Sequence, residues 1–540
     1  MNATTSSPNV TIPAVVLDLQ TQLLAYLTLA ANYFYRLPGS SIVLRYIKSS
    51  YQDDPVRSAV ELFLFLFAVR YLLAPKYSTR ETGSRGKGEV KLSEEEIDEL
   101  VEDWTPEPLV PPQTAFEENE MEKRPIIVGP TGPKVKLSNG RTVTNLASFN
   151  FYNLLSSEHL KDSAIQTLRT YGVGPCGPPG FYGTQDVHNR VEADIAAHLG
   201  VAACILYAQA FSTISSVIPA FSKRGDVIVA DSAVGYSIRK GLQISRSTVR
   251  WFQHGDMADL ERVLKKVVQE GKGRQLTRRF IVAEGISEMV GDIPDLAALV
   301  ELKTKYKFRL ILDETHSYGV LGAHGRGLTE YAHVDATSVD MITGSLAGAL
   351  CAGGGFCAGS DEVVEHQRIS AAAYTYSAAL PAMLATTASE TIRLLTMGGP
   401  EAIRQLRESI KVMRAQLDPR SDWVRCTSAI EGPILILVLK DEVVRQRNLD
   451  RDDQEWLFQD IVDECLTNGV MITRLKAMPV MIGSNPREDG WQPTPALKVC
   501  VTTGLSKKEI EKAGVVIRHA ITKIMKRGES QMKRISDSSR

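Results

Sequence analysis

The sequence predicts an α/β fold with a large domain built on a mostly parallel sheet covered by helices, a smaller C-terminal α/β domain and an N-terminal transmembrane helix. Between about residues 145 and 384, short apolar runs alternate with helical stretches, which is typical of parallel strands joined by helical crossovers. After about residue 398 the pattern becomes helix, strands and a final helix. Far upstream, residues 56–73 form a dense apolar run. Each part is therefore indicated by its own hydrophobic pattern.

Composition narrows the class of function. The chain has 540 residues, enough for two or three domains, and carries 62 Lys and Arg against 63 Asp and Glu. This balanced charge gives no electrostatic footprint for nucleic acid. The 7 cysteines show no Cys-x-x-Cys spacing and no paired histidine cluster. We therefore expect neither a nucleic-acid partner, nor a metal site, nor a disulfide framework.

The changes of pattern also give the predicted domain boundaries. Two segments are assigned to the membrane region: an N-terminal segment with an amphipathic helix at 1–55 and a transmembrane helix at 56–73. A linker with an acidic and proline-rich tether follows at 74–125. The globular body consists of the large domain at 126–397 and the small domain with a polar tail at 398–540.

The apolar run VRSAVELFLFLFAVRYLL, from Val56 to Leu73, is the predicted membrane span. At a rise of about 1.5 Å per residue it covers about 27 Å, just enough to cross a hydrocarbon core. Arg70 lies near one end and can snorkel, whereas Glu61 needs the opposite face or a partner. A buried or interface-lying helix is the alternative.

Membrane orientation follows from the flanks of this run. Basic residues are slightly more frequent on its C-terminal side, which places the large domain in the cytosol. Upstream, Val15 to Tyr35 has apolar residues near helical spacing, which suits a helix in the membrane interface or on a partner, with a soluble helix as the alternative. Asn2 and Asn9 begin Asn-x-Thr sequons, which are usable only if the N-terminus is lumenal.

The tether between the membrane segment and the body has three parts. Residues 77–90 are polar and contain glycine, so they predict a mobile linker. The acidic stretch SEEEIDELVED predicts a short helix capped by Ser93, and the prolines of TPEPLVPP predict an extended chain. The tether either docks on a partner or remains a solvated charged segment.

In the large domain, the predicted strands are CILYA, VIVA, FIVAEG, RLILDE and MITGS. Asp313 ends one of these strands, at the edge where ligands of such sheets bind. In the small domain, PILILVL and LKVCVT predict strands, and Ser506 begins the final helix. The sequence therefore predicts a ligand site near Asp313.

Four motifs occur in a fixed order along the large domain. They are YGVGPCGPPGFYG at Tyr171–Gly183 followed by His188 and Glu192, AEGISEMVGD at Ala283–Asp292, DETHSYGVLGAHGRG at Asp313–Gly327, and YTYSAALP at Tyr374–Pro381. This ordered set resembles the α-oxoamine synthases, which condense an amino acid with an acyl-CoA using pyridoxal 5'-phosphate (PLP). The resemblance implies a PLP-dependent transferase fold of type I.

Matched residue by residue, the chain keeps two cofactor contacts of that family and loses three. Asp313 stands where the family aspartate pairs with the pyridine nitrogen, and His316 where a histidine reaches the ring oxygen. Gly235 replaces the histidine that stacks on the ring, and Glu288 replaces a small hydroxyl residue. Gly348 stands where the family carries the PLP lysine.

The loop GSLAGALCAGGG, from Gly344 to Gly355, thus looks like a PLP attachment loop without its lysine. No other side chain can take the place of that lysine. A glycine-rich loop can also be a plain packing or turn element, and Asp313 and His316 can be buried hydrogen-bonded structure. Only the ordered set of motifs favours the cofactor interpretation.

This combination resembles one lysine-free subfamily of the family, whose members pair with a lysine-bearing catalytic subunit. The segments IDELVEDWTPEPLVPP from Ile97, KRGDVIVADSAVGYSIRKGLQ from Lys223 and TRRFIVAEG from Thr277 are also similar to it. The similarity runs from about Val56 to the C-terminal helix. It implies a chain that is inactive alone and a partner that binds PLP covalently.

The resemblance further implies the reaction, in which L-serine and palmitoyl-CoA give 3-ketodihydrosphinganine, CoA and carbon dioxide. Small activating subunits and ORM-type regulators are the implied further partners. Because substrate and product carry an acyl chain, we expect the complex on the endoplasmic reticulum membrane. In such enzymes both subunits contribute loops to each active site.

The residues expected to face the partner's PLP site, and to shape its serine and acyl-CoA pockets, are Cys176, Tyr182, Tyr374, Tyr376 and Ser377. The alternative for Cys176 is an ordinary buried thiol. Two rival functions remain open at this point. The chain could be a catalyst that uses a displaced lysine, such as Lys223 or Lys240, or it could be a lipid-regulatory scaffold without an associated synthase.

Overall fold

The computed structural model describes residues 38–73, 92–104, 112–273, 275–479 and 491–526, with scattered positions between 28 and 36. Asn2, Asn9 and the predicted linker at 77–90 lie outside the described residues, as does most of the predicted helix at 15–35. By its contacts the chain divides into two units, residues 1–109 and 110–540.

The first unit contains the helices Ser40–Asp53, Pro55–Leu73 and Glu94–Asp103. The apolar run therefore forms a helix, and Glu61 has the partner it needs, because Arg57 Nε lies 2.9 Å from its carboxylate. In the part of the chain that the structure describes, no helix combines the length and the apolar character needed to cross a membrane. The transmembrane span remains a prediction.

The acidic helix Glu94–Asp103 begins as the sequence predicts. The Ser93 hydroxyl accepts from the Glu96 backbone N–H, and the Glu96 carboxylate accepts from the Ser93 N–H at 2.7 Å, which forms a capping box. Ile97, Leu100 and Trp104 are exposed in this unit. Whether this helix docks on a partner also remains a prediction.

The second unit contains three described sheets. Its strands are β1 (Lys134–Lys136), β2 (Thr142–Asn145), β3 (Ala203–Tyr207), β4 (Val227–Asp231), β5 (Thr248–Phe252), β6 (Arg279–Glu284), β7 (Arg309–Asp313), β8 (Met341–Ser345), β9 (Gly355–Gly359), β10 (Val424–Cys426), β11 (Ile434–Leu439), β12 (Val470–Met471), β13 (Thr473–Leu475) and β14 (Ala496–Cys500).

The helices of the second unit pack on these sheets. Their described bounds are Ala115–Glu122, Glu158–Tyr171, Asp186–Leu199, Ala210–Phe221, Tyr236–Ser245, Met257–Glu270, Leu296–Tyr306, Leu328–Tyr331, Asp361–Ser370, Ala372–Thr375, Ala382–Leu417, Asp441–Arg447, Arg451–Thr467 and Lys507–Met525. The last helix is capped by the Ser506 hydroxyl, as the sequence predicts.

Within the described residues, the largest sheet has seven strands in the order β3-β9-β8-β7-β6-β4-β5. Strands β5, β4, β6, β7 and β8 run parallel to one another, and β9 runs antiparallel to both β8 and β3. Strands β8 and β9 are buried along their whole length because helices cover both faces of the sheet. The predicted mostly parallel sheet is confirmed.

The C-terminal region builds two smaller sheets. Strands β10, β11, β14 and β13 form an antiparallel sheet in that order. In the other small sheet β2 lies in the middle, antiparallel to β1 on one side and parallel to β12 on the other. The helix Ala382–Leu417 packs against elements of both regions, including Asp186–Leu199 and Lys507–Met525. The predicted boundary between the large and the small domain, at residues 397 and 398, falls inside this continuous helix. The two-domain division remains a prediction.

Candidate functional site

The carboxyl ends of β4, β6 and β7 bring several predicted site residues together. Glu284, the last residue of β6, pairs in register with Asp313, the last residue of β7. The Gly235 N–H, at the start of the helix Tyr236–Ser245, donates to Glu284 Oε1 at 3.2 Å. The Glu288 N–H donates to the other oxygen of the same carboxyl at 3.3 Å. Ligands of open parallel sheets bind at this edge.

The carboxyls at this edge strongly disfavour ionisation. Burial raises the pKa of Glu284 well above its ordinary value, and the neighbouring Glu288 and Asp313 raise it further. Burial also raises the pKa of Glu288, and it raises that of Asp313 to about 6. For Asp313 the effect is opposed by the Thr315 hydroxyl, which donates to its carboxylate at 2.6 Å. The pocket is acidic in composition, and its carboxyls hold their protons more readily than free carboxyls do.

His316 lies in the same region in an apolar setting. Its ring meets the Phe149 ring edge-on, with 5.7 Å between centroids. Burial lowers the pKa of His316 to about 3, and the positive charge of Lys498 lowers it further, so the imidazole is neutral at physiological pH. Lys498 lies in β14, and its ammonium is 5.0 Å from the centre of the Phe149 ring. A strand of the C-terminal sheet thus supplies an amine to this pocket.

Gly348 lies beside the same residues and has free space around it. The nearest atom that an added Cβ would meet is the Thr315 carbonyl oxygen, at 3.8 Å. Its backbone is not in the left-handed region, so a side chain here would bring no backbone strain. The absence of a side chain at residue 348 is therefore not imposed by packing.

A charged clamp joins the end of β4 to two loops of the large domain. The His254 ring lies between two carboxylates, with Nδ1 at 2.8 Å from Asp231 Oδ1 and Nε2 at 3.0 Å from Asp292 Oδ1. Burial opposes the charge of the ring, but the two hydrogen-bonded carboxylates outweigh it and raise the pKa of His254 to about 10. The protonated ring therefore ties the end of β4 to the loop after β6.

Sequence reasoning did not identify Glu284, Lys498 or His254. Glu284 had a usable signal, because it is the polar last residue of the apolar run FIVAE. Lys498 alternates with apolar neighbours in LKVC, but nothing in that pattern shows which pocket its strand approaches. The His254 clamp joins three separate segments of the chain, so no local pattern could reveal it.

The lysines suggested for a displaced cofactor linkage lie elsewhere. Lys223 is exposed and precedes β4, at the sheet edge opposite Asp313. The Lys240 ammonium donates to Gln243 at 3.2 Å and lies over the Tyr236 ring. Neither residue is placed to act beside Asp313.

The glycine-rich segment near residue 180 forms a tight outward loop. The Phe181 and Gly183 N–H groups both donate to the Pro178 carbonyl, at 2.9 and 3.0 Å. Tyr182 adopts left-handed backbone angles, with φ of 62°, and its side chain is fully exposed. Cys176 is also exposed and left-handed, with φ of 55°. A firmly folded backbone therefore presents an aromatic ring and a thiol to the outside.

The second predicted segment lies against this loop. The Ala379 N–H donates to the Gly177 carbonyl at 2.9 Å, which joins the two segments through the backbone. Tyr376 and Ser377 are exposed beside this junction. Tyr374 differs from the other residues of the set because it is buried, and its hydroxyl accepts from Arg368 at 2.8 Å. Tyr374 therefore packs inside the domain, beneath the exposed residues of its segment.

These features define an α/β protein with a candidate ligand site at the strand ends, and the comparisons with known proteins give its family. Residues 141–517 match the family described as aminotransferase class I and II. The chain belongs to this family. The match spans the seven-stranded sheet and the four-stranded C-terminal sheet.

Particular relatives place the chain more closely. It is 36% identical over 558 residues to a Saccharomyces cerevisiae protein named serine palmitoyltransferase 1, covering 95% of this chain and 97% of the relative. It is 37% identical over 431 residues to the Dictyostelium discoideum protein of the same name, covering 79% and 87%. It is 44% identical over 349 residues to long chain base biosynthesis protein 1b of Oryza sativa, covering 65% and 71%.

Solved structures share the fold. A Sphingomonas wittichii serine palmitoyltransferase superposes with a TM-score of 0.63 at 21% identity, covering 74% of this chain and 92% of that one. An 8-amino-7-oxononanoate synthase from Francisella tularensis gives a TM-score of 0.55 at 19% identity, covering 71% and 98%. The predicted fold of PLP-dependent enzymes is confirmed, together with its mixed α/β sheets.

The residues at the strand ends meet only part of what PLP requires. Asp313 offers a buried carboxyl, and His316 offers a neutral ring. Gly348 offers no amine, although covalent attachment of PLP needs one. Glu288 adds a carboxyl beside Gly235. The described residues around Gly348 therefore do not fit a covalently held cofactor.

Proposed function

We propose that this chain is the non-catalytic subunit of a heterodimeric serine palmitoyltransferase in sphingolipid base biosynthesis. Its partner is the lysine-bearing long-chain base subunit 2, which holds PLP and condenses L-serine with palmitoyl-CoA to 3-ketodihydrosphinganine. The observation that carries the proposal is Gly348, which has room for a side chain and carries none. The names of the relatives support the reaction.

The contribution of this chain to catalysis is geometric. Cys176, Tyr182, Tyr376 and Ser377 are exposed on segments that a backbone hydrogen bond joins at Gly177. Such a surface can form one wall of a serine and acyl-CoA pocket whose reacting groups belong to the partner. The partner's PLP then serves as the electron sink of the condensation, and this chain positions substrate and excludes water.

The N-terminal unit supports a place on the endoplasmic reticulum membrane, with the body in the cytosol. The helix Pro55–Leu73 exposes aromatic side chains on opposite faces, with Phe63 at 68%, Phe65 at 64% and Phe67 at 60%. Pairing with Arg57 neutralises Glu61, the residue least compatible with lipid. Small activating subunits and ORM-type regulators are proposed to bind this membrane region.

Borohydride reduction of the purified native complex, followed by mass mapping of the PLP-modified lysine, tests the central claim. We expect the label on the co-purifying homologue and none on this chain. The lone chain, treated in parallel, serves as the control and should remain unlabelled. A modified lysine in this chain would contradict the proposal and make it the catalyst.

Lys498 favours one rival, a self-sufficient enzyme with a displaced lysine. Its charge reaches both Glu288 and His316, unlike those of Lys223 and Lys240. The same mapping experiment decides this, because a label on Lys498 would establish the rival. A purely regulatory scaffold would instead fail to co-purify with any lysine-bearing homologue.

Membrane orientation has its own test. If the N-terminus is lumenal, glycosidase treatment of the protein from cells will shift its mobility, and the shift will vanish in the variant with Asn2→Gln and Asn9→Gln. An unchanged mobility in both proteins, with intact lumenal glycoproteins in the same sample, would contradict a glycosylated lumenal N-terminus.

A further inference from the structure

Gly235 and Glu288 fit one another closely. Gly235 has φ of −63° and ψ of 166°, which any residue adopts, so its backbone does not require glycine. A Cβ added there would lie well inside van der Waals contact of the Glu288 carboxylate, and 3.1 Å from Glu284 Oε1. A side chain at residue 235 would therefore displace the tip of the Glu288 side chain, which occupies that space.

The position of Glu288 is supported by its neighbours. Its N–H donates to Glu284 Oε2 at 3.3 Å, and the Gly235 N–H donates to Glu284 Oε1 at 3.2 Å. One carboxyl thus fixes both the glycine and the residue that faces it. The tip of a glutamate can rotate, so the fit rests on the Glu288 backbone, which the Glu284 carboxyl holds beside Gly235.

Gly348 in the same pocket has the opposite surroundings. An added Cβ would meet nothing closer than the Thr315 carbonyl oxygen at 3.8 Å. The two glycines that depart from the family pattern thus have different causes. At residue 348 there is space for an added Cβ, whereas at residue 235 the Glu288 carboxylate already occupies the position that a Cβ would take.

The geometry points to Glu288 as an intrinsic plug of the cofactor space of this chain, fitted to Gly235, which excludes the PLP ring even when a lysine is restored at residue 348. This inference rests on the proposed function, in which PLP belongs to the partner. It adds a second barrier to the missing amine. By the family resemblance, a side chain at residue 235 would stack on the ring, so the Glu288 carboxylate takes up the stacking face.

The acidity of the pocket strengthens the barrier. Glu284, Glu288 and Asp313 lie together at the strand ends, and PLP carries an anionic phosphate. Each of these carboxyls that is ionised adds repulsion to the steric conflict. A small hydroxyl residue at position 288 would remove the steric conflict and one of the three carboxyls.

Three variants of this chain, each in complex with the partner, test the plug. They are Gly348→Lys, Gly348→Lys with Glu288→Ser, and the latter with Gly235→His. After borohydride reduction, the peptide that contains residue 348 is examined for PLP. We expect no label in the first variant, and label in the second that increases in the third.

Both other results overturn the inference. Label on the peptide that contains residue 348 in the first variant would show that the pocket is open without removal of Glu288. Absence of label from all three would show that Glu288 is not what closes it. Failure of the proposed function would appear separately, as PLP on a native lysine of the unmodified chain.

A stability measurement checks the same contact without the cofactor. We expect Gly235→Ala to lower the melting temperature of the complex and Gly348→Ala, the matched control in open space, to leave it unchanged. In the Glu288→Ala background, Gly235→Ala should lose its effect, because the clash is gone. An equal decrease in both backgrounds would contradict the fit between the two residues.

Discussion

Two regions of the second unit, the pocket at the strand ends and the outward loop near Tyr182, differ in how they arrange their side chains. The pocket at the strand ends has a glycine at residue 348, and its Glu284 carboxyl accepts hydrogen bonds from the Gly235 and Glu288 backbone N–H groups. The outward loop near Tyr182 keeps a tightly hydrogen-bonded backbone and presents exposed side chains. The difference teaches that one fold can hold a buried carboxyl in a backbone hydrogen-bond network and, separately, present exposed side chains on a rigid loop.

This comparison separates two kinds of variant. Changes in the outward loop should reduce turnover of the complex while its melting temperature stays constant. Changes in the pocket should alter stability while turnover of the assembled complex stays constant. A loop variant that lowers the melting temperature, or a pocket variant that lowers turnover, would contradict this comparison.

The largest effect is expected from Gly183→Ala. A Cβ at residue 183 would lie 2.6 Å from the Pro178 carbonyl oxygen and still closer to that of Gly177, so the loop must open. Displacement of catalytic surfaces by about 1 Å can lower rates by about a hundredfold, and we expect a loss of this order in product formation. Gly180→Ala, in open space on the same loop, is the control and should keep full activity.

Cys176→Trp should follow, with a loss of at least about tenfold in product formation, because the bulky ring would enter the shared pocket. Cys176→Ser retains the size of the thiol and should remain active. Both variants are compared in complexes that still contain the two subunits in equal amounts. Full activity of the tryptophan variant in an assembled complex would remove Cys176 from the pocket.

On the pocket side, His254→Ala should reduce stability by about 2 kcal/mol, because it removes charged hydrogen bonds to Asp231 and Asp292. The measurement is thermal unfolding of the complex. His159→Ala removes a more exposed pair with Glu390 and should lose less than about 1 kcal/mol. Equal shifts for the two variants would argue against the clamp, and a fall in turnover for His254→Ala would break the comparison.

The smallest effect concerns pH. The pKa of Glu284 and of Glu288 lies above its ordinary value in the folded chain because of burial, so protonation favours the folded state. Their stabilising contribution is complete below about pH 4 and is lost as pH rises through the folded pKa values. Glu288→Gln should therefore flatten the fall in melting temperature as pH rises above the ordinary glutamate pKa of about 4.

The exposed Glu158 provides the control for that measurement. Glu158→Gln should leave the slope of melting temperature against pH as in the unmodified chain. A slope that is identical in the Glu288→Gln variant would show that this carboxyl does not hold a proton in the folded pocket.

Much of the architecture could be predicted from local patterns. The runs that form β3, β4, β6, β7 and β8 are mostly apolar, and such runs separated by helical stretches indicate a parallel sheet. Ser93 and Ser506 gave the starts of two helices because a hydroxyl before an acidic residue at the fourth position forms a capping box. These features depend on neighbours in sequence.

The site was predictable only where chemistry depends on a single residue. Asp313 at a strand end and the missing lysine at Gly348 were both readable from the sequence, and the structure places them in one pocket. The inward position of Tyr374 was not, because burial depends on Arg368 and the packing around it.

The sequence by itself determined the order of the strands along the chain, the position of Asp313 at the ligand edge and the lack of an amine at residue 348. Only the tertiary structure decided that Glu288 fills the space beside Gly235, and that Lys498 approaches His316 from a different sheet. The physical reason is how far apart in sequence the interacting residues lie. Strand and helix patterns come from adjacent residues, whereas a pocket is formed by the packing of segments that are distant in sequence.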